Sequence, residues 1–145
     1  MATSVQIVID CADPGSLAEF WAGALGYRLQ DPPDGYSSWP EWLAASGIPE
    51  DRWNDANAIV DPEGRAPRVY FQRVPEPKIV KNRVHLDLNV AGGPGVPSAE
   101  RRRRVDEEAA RLARAGATLV SADMSEHGEY WAVMRDPEGN EFCVQ

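Results

Sequence analysis

The apolar positions of this chain fall into two rhythms, and the rhythms succeed one another in the same order twice. From Val5 to Asp10 the chain alternates, with Val5, Ile7 and Ile9 on one side and Gln6, Val8 and Asp10 on the other, as in a strand with one buried face. The spacing then widens to helical intervals at Leu17, Phe20, Trp21, Ala24 and Leu25. Asp13 reads as the N-cap of that helix, Pro14 as its first residue and Gly26 as its stop. Tyr27, Arg28 and Leu29 begin a second strand, Asn57 to Val60 form a third and Arg68 to Val74 a fourth. Asp61-Pro62-Glu63-Gly64 is a turn by composition. Pro75-Glu76-Pro77 ends the run, because proline cannot donate to a ladder.

The second half repeats this order. Arg83 to Val90 reads as a strand and Gly92-Gly93-Pro94-Gly95 as a break. A helix capped by Ser98 runs from there to about Ala115, with Val105, Ala109, Leu112 and Ala113 as its apolar stripe and Gly116 after it. Strands are expected at Ala117 to Val120, Tyr130 to Arg135 and Glu141 to Val144, the last two joined by Asp136-Pro137-Glu138-Gly139. Each half therefore reads β-α-β-β-β and places the same tetrapeptide turn in its second part, a repeat that outranks most other evidence about fold. The expected architecture is α+β, one domain over residues 1–145, with modules at about 4–75 and 82–145 and a linker at about 75–81.

Residues 31–55 break the pattern. They are rich in Pro and Gly, carry Tyr36, Trp39, Trp42 and Trp53, and leave room for a short helix from Glu41 to Ala45. Such an insertion is either a lid over a site or a satellite core that keeps the loop folded; the two are compatible. The strands carry a second question. Their apolar faces (Val69 and Phe71; Val84, Leu86 and Leu88; Phe142 and Val144) oppose a varied polar set: Tyr70 and Gln72; His85, Asp87 and Asn89; Glu141, Cys143 and Gln145. That set either meets solvent, as one side of an antiparallel sheet often does, or walls a cleft. The presence of His, Gln, Asn and Cys favours the cleft.

Charge narrows the partners. Fifteen Lys and Arg against 23 Asp and Glu give a net charge of −8, which repels phosphate backbones and anionic membranes. The basic run Arg101 to Arg104 is offset by Asp106, Glu107 and Glu108 at i+4 and reads as a solvated, self-paired helix face. Two cysteines, Cys11 and Cys143, make no disulfide framework and are expected as reduced thiols. With no basic-then-apolar leader and no long apolar run, a cytoplasmic location is the default expectation.

The chain resembles the vicinal-oxygen-chelate superfamily, and within it the glyoxalase-like domains. The resemblance rests on Ile9-Asp10-Cys11-Ala12-Asp13-Pro14, Phe20-Trp21 with Leu25-Gly26-Tyr27, Val69 to Pro75, Lys81-Asn82-Arg83-Val84-His85-Leu86-Asp87-Leu88, Leu112 to Ala117, and Asp136 to Phe142. It implies two βαβββ modules curved around a cup, and a homodimer. In metal-using relatives four cup residues hold a divalent cation; matched here, they are Gln6, Gln72, His85 and Cys143. Cys143 departs from the glutamate usual at its place, and Glu141 stands two residues before it on the same face. Two amides, an imidazole and a thiol suit Zn²⁺ better than Mg²⁺, which wants carboxylate oxygens. The expected function is binding of a small organic molecule, oriented by Gln6, Gln72, His85, Asp87 and Tyr70 beneath Trp39 and Trp42, without a metal. The alternatives are a metal-dependent lyase, isomerase or dioxygenase, with Glu141 or His85 relaying a proton, and a non-catalytic interaction domain.

Overall fold

β-Branched residues and a strict alternation make Ile7–Cys11 a strand, β1, and Asp13 lies just beyond it as the cap of the first helix. The computed structural model describes residues 1–145, Met124 by its backbone alone. In helix α1 (Pro14–Leu25), the Asp13 carboxylate accepts from the Ser16 N–H at 3.2 Å, and Gly26 closes the helix at φ 68°, a conformation that glycine adopts without Cβ strain. After α1 come β2 (Arg28–Leu29), α2 (Trp39–Ala45), a 3-10 turn at Glu50–Arg52, β3 (Ala56–Val60) and β4 (Val69–Arg73). Leu17, Ala18, Phe20 and Trp21 of α1 are buried, as are Ile59, Val69 and Phe71 on the sheet beneath. Phe20 and Trp21 meet edge to face at 5.4 Å. The strands lie in the order β1-β4-β3-β2, with β1 parallel to β4 and the other pairs antiparallel.

The second set of elements is β5 (Asp87–Leu88), α3 (Ser98–Arg114), β6 (Thr118–Met124), β7 (Tyr130–Arg135) and β8 (Glu141–Val144). Their order, β5-β8-β7-β6, and their parallel first pair reproduce the first sheet. The predicted α+β class and both β-α-β-β-β successions are present; α2 is an insertion in the first. Val105, Ala109 and Leu112 of α3 are buried with Ala132, Met134, Phe142 and Val144 of the sheet. The chain divides into two compact units, Met1–Pro77 and Lys78–Gln145. No helix among the described residues is long and apolar enough to cross a membrane.

The repeated tetrapeptide forms the same turn twice. Asp61 accepts from the backbone N–H of Glu63, Arg65 and Ala66, and Gly64 takes φ 67°. Asp136 accepts from the N–H of Glu138 and Asn140 and from the Asn140 amide, and Gly139 takes φ 89°. Asp136 is only 3% exposed, so its hydrogen bonds replace water that cannot reach it.

Several sequence expectations are corrected. The strand expected over Arg83 to Val90 pairs only at Asp87–Leu88. In the register of that pair Arg83 and Val84 fall opposite Gly139 and Asn140, before β8 begins at Glu141, so these two have no ladder to join, and Val84 is exposed. Ser98 is the first residue of α3 and makes no cap bond; Pro97 stands at the cap. α2 begins at Trp39 rather than Glu41, because Ser38 accepts from the Glu41 N–H while Glu41 turns back to Ser37. β6 runs on to Met124 through an irregularity between Leu119 and Ser121. Arg102 and Arg103 pair at i+4 as expected, but Arg104 pairs with Glu100, leaving Glu108 to Arg111.

Candidate functional site

In the first unit the α1-free face of the sheet carries the polar set. The register of β1 against β4 sets Ile7 opposite Val69, Val8 opposite Tyr70 and Asp10 opposite Gln72. Across β4, Ala58 faces Tyr70 and Ala56 faces Gln72. Two alanines in a row leave a hollow in this face, and α2 stands over it. A cavity of about 390 Å³ lies there, lined by Trp39, Trp42, Leu43, Ile48 and Trp53 from the insertion and by Ala56, Ala58, Arg68 and Tyr70 from the sheet, with Arg52 and Asp55 at its side. Trp39 and Trp42 meet edge to face at 5.5 Å. The insertion is held in place by its indoles: Trp39 Nε1 donates to the Gln30 carbonyl at 2.7 Å and Trp53 Nε1 to the Ile48 carbonyl at 2.9 Å. The aromatic group is therefore at once a packed core of its own loop and the wall of a cavity.

Arg68 is the residue that sequence reasoning passed over. It precedes Val69, on the same face as Tyr70 and Gln72, and alternation alone marks that position. Its Nη1 donates to Gln6 Oε1 and its Nε to Gln30 Oε1, both at 2.6 Å, and its guanidinium lies 5.3 Å from the centre of the Tyr70 ring. Gln6 is thus engaged by Arg68. Gln72 lies opposite Asp10, four residues beyond Gln6, or about 13 Å along the sheet.

In the second unit the side chains of His85, Asp87 and Cys143 converge. His85 Nε2 is 3.4 Å from Asp87 Oδ1, and ligand atoms of all three lie within 4.8 Å of one another. β5 and β8 bring this about by setting Asp87 opposite Cys143. Burial is the main cause that pushes the Cys143 thiol above its usual range; the nearby Asp87 carboxylate adds to it, and Lys81 opposes it. The three residues line a second cavity of about 650 Å³, with Arg101, Tyr130 and Trp131 among its walls.

Glu141 is occupied differently. Its carboxylate accepts the Asn82 N–H and pairs with Lys78 at 3.1 Å. The Asn82 N–H is the larger cause and Lys78 a smaller one in holding its pKa at about 2, against an ordinary 4.5. The register also relates the two sheets. Two positions after His85 stands Asp87, opposite Cys143; two positions after Gln6 stands Val8, opposite Tyr70. With Gln6 matched to His85, the counterpart of Cys143 on β4 is Tyr70, and Gln72 falls two positions further on.

Comparison with known proteins agrees with this architecture. The sequence model of the glyoxalase-like domain family matches residues 6–145. No curated protein matches the chain in sequence. Among solved structures, a glyoxalase/bleomycin resistance protein/dioxygenase family enzyme from Burkholderia phytofirmans is similar at 16% identity and TM-score 0.61, over 96% of this chain and 94% of that one. A possible glyoxalase from Bacillus cereus has 15% identity and TM-score 0.61, over 99% of both chains. A variant of the fosfomycin resistance protein FosX from Listeria monocytogenes, complexed with Mn(II) and a dihydroxypropylphosphonic acid, has 13% identity and TM-score 0.61, over 100% of this chain and 90% of that one. Such identities carry the fold, and the family match, spanning all but the first five residues, carries membership: the chain belongs to the glyoxalase-like domain family.

Proposed function

We propose that this protein binds a small organic molecule with a flat apolar body in the cavity beneath α2. The observation that carries this reading is the cavity itself: about 390 Å³, within the usual range of ligand sites, with three tryptophans on one side and two alanines and a tyrosine on the other. Aromatic walls supply large contact area at little conformational cost. The alanine floor gives a planar group room to lie against the sheet. Titration with planar aromatic compounds, monitored by tryptophan fluorescence and repeated on Trp42→Ala, tests the proposal. At least one compound is expected to shift the signal, and the variant to bind it at least tenfold more weakly. If no compound shifts the signal, or Trp42→Ala binds unchanged, the reading fails.

A second reading, a metal-assisted lyase, isomerase or dioxygenase, is favoured by the convergence of His85, Asp87 and Cys143. One imidazole, one carboxylate and one thiol form a donor set that fits Zn²⁺ with a coordination position left open, and fits Mn²⁺ or Mg²⁺ poorly. In that reading these three residues hold the ion, which when bound would polarise substrate oxygens. Glu141, drawn toward Lys78 and Asn82, serves the fold, and His85 stands as a metal ligand. Elemental analysis of protein purified without a metal-binding tag, with thermal shifts in Zn²⁺ and Mn²⁺, tests it. Zinc retained by the wild type and lost in His85→Ala and Cys143→Ala supports it; no metal and no shift with either cation refutes it.

A further inference from the structure

We infer that the molecule bound beneath α2 carries a single negative charge, a carboxylate, received by Arg68; this deepens the reading of that cavity as the ligand site and rests on it. The first unit contains Arg28, Arg52, Arg65, Arg68 and Arg73. Four of them have a carboxylate partner: Arg28 with Asp31, Arg52 and Arg73 with Asp55, and Arg65 with Glu63. Among the described residues, Arg68 has no acidic group within ion-pair distance. Its side-chain partners are the neutral amide oxygens of Gln6 and Gln30, which hold the guanidinium in place without cancelling its charge.

Those two bonds use Nε and one hydrogen of Nη1. Nη2 and the second hydrogen of Nη1 are left, and a guanidinium presents such paired donors to a carboxylate in a bidentate fork. The Tyr70 ring lies against the guanidinium in a cation–π contact, 5.3 Å from its centre to the guanidinium carbon. The rest of the cavity does not oppose an anion. Asp55 at its side is already bracketed by Arg52 at 3.0 Å and Arg73 at 3.6 Å. Of the charged side chains lining it, Arg52 and Asp55 compensate one another and Arg68 remains, so the cavity carries net positive charge in a chain of net charge −8. One uncompensated guanidinium matches a monoanion better than a phosphate dianion. The tryptophan walls require that the remainder of the ligand be apolar, and the class is therefore an aromatic or similarly flat carboxylic acid.

A matched pair of probes tests this: 2-naphthoate and 2-naphthamide, equal in shape and different in charge, titrated by calorimetry into wild type, Arg68→Gln and Arg68→Lys. The wild type is expected to prefer the acid at least tenfold. Arg68→Gln should bring the ratio of the two dissociation constants to within about twofold, and Arg68→Lys, which keeps the charge and loses the fork, should fall between. Thermal melting of the two variants checks that both remain folded, and the ratio is read within each variant. A wild-type ratio near one, or a tenfold preference that survives in Arg68→Gln, overturns the assignment of charge while leaving the cavity as a ligand site. Failure of both probes to bind the wild type overturns both.

Discussion

Glu141 offers a quantitative test of how the second unit is tied together. Its carboxylate accepts the Asn82 N–H at 2.9 Å and pairs with Lys78 at 3.1 Å, so it fastens the segment before β5 to the start of β8. Glu141→Gln keeps the shape and removes the charge. A pKa of about 2 in the fold against an ordinary 4.5 sets a ceiling of about 3 kcal/mol on what the ionised form contributes. Water reaches the ion pair and screens it, which brings the expected loss at pH 7 to about 1–2 kcal/mol. The direction with pH comes from the depressed pKa. The contribution is complete above the unfolded value near 4.5 and disappears as pH falls toward 2. Urea denaturation of wild type and Glu141→Gln at pH 7 and pH 3 should therefore show a gap in unfolding free energy that shrinks to less than half at the lower pH. An equal gap at both values, or none at pH 7, would refute the assignment of Glu141 as a charged tie.

Three further substitutions test the packing and the repeated turn. Leu112→Ala, at a fully buried position of α3, should lower the unfolding free energy by about 2–5 kcal/mol in urea melts; a loss under about 1 kcal/mol would show that α3 is not packed as described. Asp136→Ala should cost about 1–3 kcal/mol by leaving the Glu138 and Asn140 N–H groups without their acceptor. Asp61→Ala, in the exposed copy of the turn, should cost distinctly less, and equal losses would mean that burial does not set the difference.

Much of the first unit was legible because its signals are local. Asp13, Pro14 and Gly26 bound α1 through bonds and dihedral angles that span one helical turn, so neighbours in sequence suffice to place them. The two Asp-Pro-Glu-Gly turns are equally local, since the aspartate bonds to backbone within five residues of itself. The misplaced strand around His85 fails for the opposite reason. Whether Arg83 and Val84 join the ladder depends on where β8 begins, more than fifty residues later. Glu141 shows the same dependence. Alternation places it on the polar face with Cys143, but Lys78 and Asn82, distant in sequence, determine that its carboxylate is bound.

What the sequence determined by itself was order and face: two β-α-β-β-β runs, which residues of the paired strand segments look toward the helices, and an aromatic insertion in the first run. These come from periodicity, which is a property of neighbours. Only the tertiary structure decided register, and with it which polar residues meet. It set Asp87 beside Cys143 and near His85, put Tyr70 rather than Gln72 in the place corresponding to Cys143, and brought Arg68 against Gln6 and Gln30 at the edge of a hollow floored by Ala56 and Ala58. The physical reason is that a strand's face repeats every two residues wherever it pairs, whereas register depends on the turns and distant partners that hold one strand against another.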